Sequence, residues 1–258
     1  MKGKVIFVGA GTGSADLLTL RAVRCLERAD VVLHDDLVAR DVLDFVPGTA
    51  TVRNVGKRCG RAGISQKALN EMMIAYAGRG QNVVRLKCGD PGIFGRLGEE
   101  IDALQEADIA FEIVPGVTAG LAAAAAAQIT LTDRRSTSRV VFAAASLAEG
   151  KRQEWAKVVS PETTLVIYMP GRDFATLAGE LVAAGVSPDL SCAVISNAGG
   201  LDEHAATGDL SGLGELRAGA APAVVIIGPK VRTKAQAELR AQASEAQEKV
   251  PPQIEVGR

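Results

Sequence analysis

Runs of consecutive apolar residues recur along this chain. Between them lie segments whose apolar positions return every three or four residues. The first run, KVIFVG at 4–9, shows no polar alternation, as expected of a parallel strand covered on both faces. Leu17, Leu20, Val23 and Leu26 then make a helical stripe, so a helix is expected over 17–28 with Asp16 as its N-cap. Further strands are expected at 30–33, 50–55, 82–86 and 111–114, with helices at 39–45, 66–78 and 98–105 between them. Pro115-Gly116 punctuates the chain, and a second alternating set follows. It has helices at 118–127 and 174–184 and strands at 139–143, 164–168, 191–196 and 223–227. Alternating strands and helices imply largely parallel, helix-covered sheets. The expected organisation is two α/β domains, 1–114 and 116–232, followed by a polar helical tail at 233–258 rich in Ala, Gln and Glu.

Composition narrows the function classes. The chain has 258 residues, of which 47% are hydrophobic and 23% charged, in the range of globular proteins. Aromatic residues are only 3%, too few for a base-stacking platform, and the formal net charge of -1 gives no pull toward nucleic acid or anionic membrane. The longest apolar run, 119–127, is too short and alanine-rich to span a bilayer. Cys25, Cys59, Cys88 and Cys192 form no CxxC pair, which speaks against a zinc site or a disulfide framework. With no secretory leader in the sequence, the cytoplasm is the expected compartment.

Two glycine-containing turns hold the candidate chemistry. GAGTGS at 9–14 follows the first strand, and Asp35 and Asp36 lie at about the spacing of a ribose contact. That suggests a dinucleotide-binding oxidoreductase, but Ser14 stands where the third glycine belongs. The second turn interrupts RLKCGDPGIFGR at 85–96, where Pro91 forces a bend at the end of a strand. A turn there exposes backbone N–H and C=O groups, and glycine lets them approach a ligand closely. Ligands of open α/β sheets bind at strand carboxyl ends.

The ordered series GAGTGSADLLTLRA, VVLHDDLV, VGKR at 55–58, VVRLKCGDPGIFGRLGEE at 83–100, VPGVTAG, LTDR and VIYM resembles the tetrapyrrole methylase family, within it the uroporphyrinogen-III C-methyltransferases. The resemblance runs from about Lys4 to Val231. It implies S-adenosylmethionine in a trough between two α/β domains, a tetrapyrrole acceptor, a homodimer, and two methyl transfers from uroporphyrinogen III to precorrin-2 on the route to siroheme or cobalamin. It also implies cofactor contacts at Thr12, Cys88, Gly89, Asp90, Ile93, Thr118, Ala119, Met169 and Ala198. Asp35 takes the position of a proton acceptor and Lys57 that of a proton donor. The chain departs from the family pattern at Thr12 (for proline), Cys88 and Leu97 (for glycine), Asp133 (for histidine) and Pro170 (for glycine). A different precorrin methyltransferase of the cobalamin branch is the alternative reading, and a non-catalytic protein retaining the fold is another.

The residue chemistry is compatible with those roles. Methyl transfer from a sulfonium needs mainly in-line placement, then removal of a proton by a group such as a carboxylate. A polycarboxylate acceptor calls for cations, and Arg53, Lys57, Arg58 and Arg61 form one cluster, with Arg134, Arg135 and Arg139 a second. Cys88 is expected at negative φ. Arg85 and Lys87 are near enough in sequence to lower a thiol's pKa, but strand alternation turns at least one of them away.

Overall fold

The computed structural model describes residues 2–56, 64–146, 151, 153–160, 162–229 and 231. The expected tail at 233–258 and Lys57, Arg58, Cys59 and Arg61 fall outside the described residues. The chain forms two compact units. The first comprises the chain up to Ala126 together with Ser196–His204 and Gly219–Pro222. The second comprises Ala127–Ile195, Ala205–Ala218 and the chain from Ala223. The segment 119–126 thus belongs to the first unit, whereas the expected boundary at 114–116 precedes it.

In the first unit, Lys4–Gly9 (β1), Val31–His34 (β2), Thr51–Asn54 (β3), Asn82–Lys87 (β4) and Ala110–Val114 (β5) make a sheet in the order β3-β2-β4-β1-β5. Every pairing is parallel. The uninterrupted apolar runs follow from burial on both faces. Leu20–Leu26 (α1) covers one face, where Ala22 and Leu26 pack on Ile6, Val8, Val84 and Leu86. Gln66–Gly78 (α2) and Leu97–Glu106 (α3) cover the other, where Leu69, Met73 and Leu104 pack on Val5, Phe7, Leu33 and Val83. Each fully buried side chain of this size contributes about 1.5–3 kcal/mol.

The helix after β1 starts later than its apolar stripe suggests. Ala15–Leu17 is a 3-10 turn, and Leu18 is extended at φ -69 and ψ 142. Thr19, not Asp16, caps α1, its hydroxyl accepting from the Ala22 amide at 3.1 Å. Asp16 is diverted into a bond from the Ser14 hydroxyl. The expected helix at 39–45 is also a 3-10 segment, Arg40–Phe45.

In the second unit, Arg139–Ala144 (β6), Thr163–Tyr168 (β7), Ser191–Ser196 (β8), His204–Asp209 (β9) and Ala223–Ile227 (β10) form a sheet in the order β6-β7-β10-β8-β9. β6 runs parallel to β7 and β10 antiparallel to it. The edge strand β9 has no counterpart among the expected elements, because HAATGD is half-exposed and carries no apolar run.

Glycine positions give a paired stability test. Gly13 has φ +74, and a Cβ there would lie 2.0 Å from the Gly199 carbonyl oxygen. Gly179 is exposed inside a described helix, Phe174–Ala183, with nothing within 4 Å of an added Cβ. In urea unfolding, Gly13→Ala is expected to lose about 2 kcal/mol or more through left-handed strain and clash. Gly179→Ala is expected to gain about 1 kcal/mol from helix propensity. Equal stabilities for the two variants contradict this assignment of the turn.

Candidate active site

β1 and β4 are parallel neighbours whose chains leave the sheet in opposite directions. The chain after β1 goes to α1 on one face, and the chain after β4 goes to α3 on the other. Such a switch point leaves a crevice at the carboxyl ends of the two strands. There the two glycine turns meet. The Gly89 amide donates to the Gly11 carbonyl at 2.7 Å, and the Gly11 amide donates to the Gly89 carbonyl at 3.2 Å. The segment after β5 closes in as well, with the Gly116 amide donating to Asp90 Oδ2 at 3.0 Å. An added Cβ on Gly9 would lie 2.5 Å from the Gly116 nitrogen, so only glycine fits this crossing.

The predicted cofactor residues are distributed as follows. Thr12 joins this cluster through its neighbour Gly13, because the Ser14 amide donates to the Gly199 carbonyl at 3.0 Å, next to Ala198. Thr12 is buried, and its Oγ1 has no hydrogen-bond partner among the described residues. Thr118 and Ala119 lie against Gly89, whose φ is +70. Asp90 caps its own turn, accepting from the Gly92 amide at 2.8 Å, while the Ile93 amide donates to the Asp90 carbonyl at 3.2 Å. The first unit thus gathers Thr12, Cys88, Gly89, Asp90, Ile93, Thr118, Ala119 and Ala198. Met169 belongs to the second unit, after β7, at φ 50 and half-exposed.

Asp35 follows β2 directly. In register, His34 faces Leu86, and the Asp35 amide donates to the Leu86 carbonyl at 3.0 Å. Arg85 Nη2 donates to Asp35 Oδ1 at 2.5 Å, and the Cys88 amide donates to Oδ2 at 3.3 Å. Arg85 and Lys87 share the side of β4 that carries Val83, and there they meet Glu100 from the first turn of α3. Arg85 Nε donates to Glu100 Oε1 at 3.2 Å, and Lys87 Nζ donates to Oε2 at 2.8 Å. Arg85 Nη1 also donates to the Leu33 and Leu86 carbonyls. The three side chains are 5% exposed or less, against 29% for Asp35. Burial and the Arg85 charge push the Lys87 ammonium below its ordinary value, and Glu100 opposes them. All four residues line a cavity of about 250 Å³, also bounded by Asp36, Phe94 and Arg96. Phe94 and Arg96 sit at positive φ, 52 and 55. Strain of this kind clusters at functional sites.

Sequence reasoning did not identify Arg85, Lys87 and Glu100 as parts of the site. A signal was present: two cations at i and i+2 in an apolar strand share one face and need a buried anion. The basic clusters were weaker guides. Arg53 stacks over the Tyr76 ring at 6.0 Å, with its expected partners outside the described residues. Arg135 is tied to Asp133 at 2.7 Å and is well exposed. The dinucleotide reading loses its basis, since α1 starts only at Leu20 and Asp35 is committed to Arg85.

The sequence model of the tetrapyrrole (corrin/porphyrin) methylases matches residues 4–214. The chain belongs to this family. Siroheme synthases of Actinobacillus pleuropneumoniae serotype 7 and Zymomonas mobilis are each 42% identical to it, over 89% and 88% of this chain respectively. The chain spans about half the length of these curated relatives, 48% and 49%. The crystal structure of uroporphyrin-III C-methyltransferase from Thermus thermophilus, complexed with S-adenosylhomocysteine, superposes with a TM-score of 0.77 at 33% identity. That match covers 89% of this chain and 99% of the other. A cobalt precorrin-4 methyltransferase, CbiF, superposes with a TM-score of 0.79 at 27% identity, covering 89% and 96%. The chain's two sheets, one parallel and one mixed, are an α/β arrangement of the tetrapyrrole methylase type.

Cys88 is not among the positive-φ residues, and its Sγ lies 3.9 Å from the Gly11 carbonyl oxygen. Arg85 and Lys87 turn toward Glu100 and do not activate it. Burial, then the Asp35 charge, raises the thiol from 9.0 to about 11. A raised pKa means the fold favours the thiol. That contribution is complete below pH 9.0 and is lost as pH rises through about 11. Alkylation at position 88, read by peptide mass spectrometry, is expected to reach half-maximal rate near pH 11. A midpoint at or below pH 9 contradicts this environment.

Proposed function

We propose that this chain transfers methyl groups from S-adenosylmethionine to carbon atoms of uroporphyrinogen III, twice, giving precorrin-2. The observation that carries the reading is the crossing of Gly9, Gly11, Gly89 and Gly116 at the β1–β4 switch point, beside the Asp35–Arg85 pair. The likeness to the Thermus thermophilus enzyme along nearly its whole length supports it.

The residues present fit that cofactor. Thr12 offers a buried hydroxyl without a partner among the described residues, and the turns at 11–13 and 88–90 bring backbone polar groups together. When bound, S-adenosylmethionine supplies an already activated methyl group on its sulfonium. Thr12, Gly89, Asp90, Ile93, Thr118, Ala119 and Ala198 of the first unit would hold it, with Cys88 at the wall. Asp35 serves the tetrapyrrole. Its Oδ1 is gripped by Arg85, while Oδ2 accepts one long amide bond and keeps lone-pair capacity for a pyrrole N–H or a departing proton. Lys57 returns a proton. The acceptor's carboxylates are met by cations other than Arg85 and Lys87, which Asp35 and Glu100 already neutralise. Two copies of the chain form the working unit in the cytoplasm. Light scattering is expected to give about twice 26.7 kDa.

A second reading, methylation of a later precorrin, is favoured by the TM-score of 0.79 to the cobalt precorrin-4 enzyme. Incubating the purified chain with uroporphyrinogen III and labelled S-adenosylmethionine separates the two. Two labelled methyls on the product support the main reading. No label with uroporphyrinogen III, but label with a methylated precorrin, replaces it with the second. Asp35→Asn is expected to fold, bind S-adenosylhomocysteine, and slow transfer about 100-fold to 10,000-fold. An unchanged rate makes Asp35 structural.

A further inference from the structure

The four charges beside the cavity, three of them buried, form a line rather than isolated pairs. Asp35 Oδ1 is bonded by Arg85, Arg85 by Glu100 Oε1, and Lys87 by Glu100 Oε2. Gln66 Nε2 also donates to Glu100 Oε1 at 3.2 Å, so the line touches β2, β4, α3 and the start of α2. Two positive and two negative charges balance. Balance alone does not explain why the line exists. Replacing a buried ion pair with apolar residues of similar volume is often neutral or stabilising. The inner pair, Lys87 and Glu100, lies at the dry end at 2% and 1% exposure, while Asp35 is at the open end. The dry end therefore adds nothing that an apolar pair would lack, except direction. Glu100 takes the guanidinium at Nε and the peptide carbonyls of Leu33 and Leu86 take Nη1. Nη2 is left facing Asp35.

We infer that Glu100 is a positioning residue for Asp35: held by Lys87, its carboxylate fixes the Arg85 guanidinium, which in turn sets the direction of the Asp35 carboxylate. Glu100, 1% exposed, is assigned an action through Arg85 and not by contact with a ligand. Its consequence for turnover rests on the role proposed for Asp35, but its geometric consequence does not.

The variant Lys87→Met with Glu100→Leu removes one charge of each sign, so the net charge of the line is kept while Arg85 loses its bond at Nε. Three readouts are taken on the full chain. The thermal midpoint is expected to equal or exceed that of the parent. S-adenosylhomocysteine affinity by calorimetry is expected to stay within about threefold, about 0.6 kcal/mol. In the turnover assay, kcat is expected to fall at least about tenfold with KM for S-adenosylmethionine unchanged, because a loosened Asp35 reduces the fraction of productive encounters.

Cys88 provides a geometric readout that needs no turnover. Its thiol is raised partly by the Asp35 charge, so an Asp35 that swings away lowers the alkylation midpoint at position 88. A lowered midpoint supports the inference. A parent-like midpoint in the folded variant overturns it, whether or not the parent methylates uroporphyrinogen III. A lowered midpoint with parent-like kcat overturns the link to turnover. If the apolar pair prevents folding, Lys87→Met with Glu100→Gln keeps the size of the glutamate and is judged by the same readouts. An absence of methyl transfer by the parent chain refutes the proposed function and leaves the thiol readout to decide this inference.

Discussion

The Arg85 guanidinium organises the candidate site. It lies in the middle of a parallel sheet, 4% exposed, where an unpaired charge would be untenable. Its position on β4 puts it beside β2, so the nearest available anion on that side is Asp35, just past the strand end. Its side of β4 faces α3, so the other anion is Glu100. Once Arg85 is in the strand, the placement of Asp35 and of Glu100 in the first turn of α3 follows from neutralising it, and Glu100 also answers the neighbouring Lys87. A polar, charge-balanced wall results, with the Asp35 carboxylate toward its open end. That is a suitable surface for an acceptor whose reaction must end in loss of a proton.

The second constraint is steric. Gly9 and Gly116 pass too closely for any side chain, and Gly11 and Gly89 exchange two backbone hydrogen bonds. These contacts fasten the ends of β1, β4 and β5 together at the place where the chain leaves the sheet on opposite faces. The backbone groups that remain are held rigidly, and a rigid polar wall binds a small cofactor without first paying to order a loop. Cys88 is accommodated because the left-handed conformation falls on Gly89 instead.

The buried strands were legible because burial on both faces leaves an uninterrupted apolar signature: β1, β8 and β10 all stand where the apolar runs are. The edge strand β9 was not, because an exposed edge selects for nothing apolar. The start of α1 was misplaced by Asp16, an acceptable cap in isolation that the Ser14 hydroxyl engages instead. The turns that meet at Gly11 and Gly89 were readable as ligand-binding backbone. Their pairing with each other was not, since 11 and 89 are distant in sequence. Spacing alone pointed Asp35 to a ribose contact, and only the resemblance suggested a proton acceptor there. Its partner Arg85 stood in plain view as a charge in an apolar strand, but which anion would answer it depends on the strand order, and no local pattern encodes that.

The strand ends of the first unit, with their glycine crossing, are where S-adenosylmethionine or its demethylated product is expected to bind. Amide hydrogen exchange, with and without saturating S-adenosylhomocysteine, tests it at the level of individual segments. Slowed exchange is expected at 10–14, 88–93, 116–119 and 197–200, because a ligand held by these turns suppresses their local opening. Unchanged exchange in those four segments, while calorimetry shows the ligand bound, would contradict it.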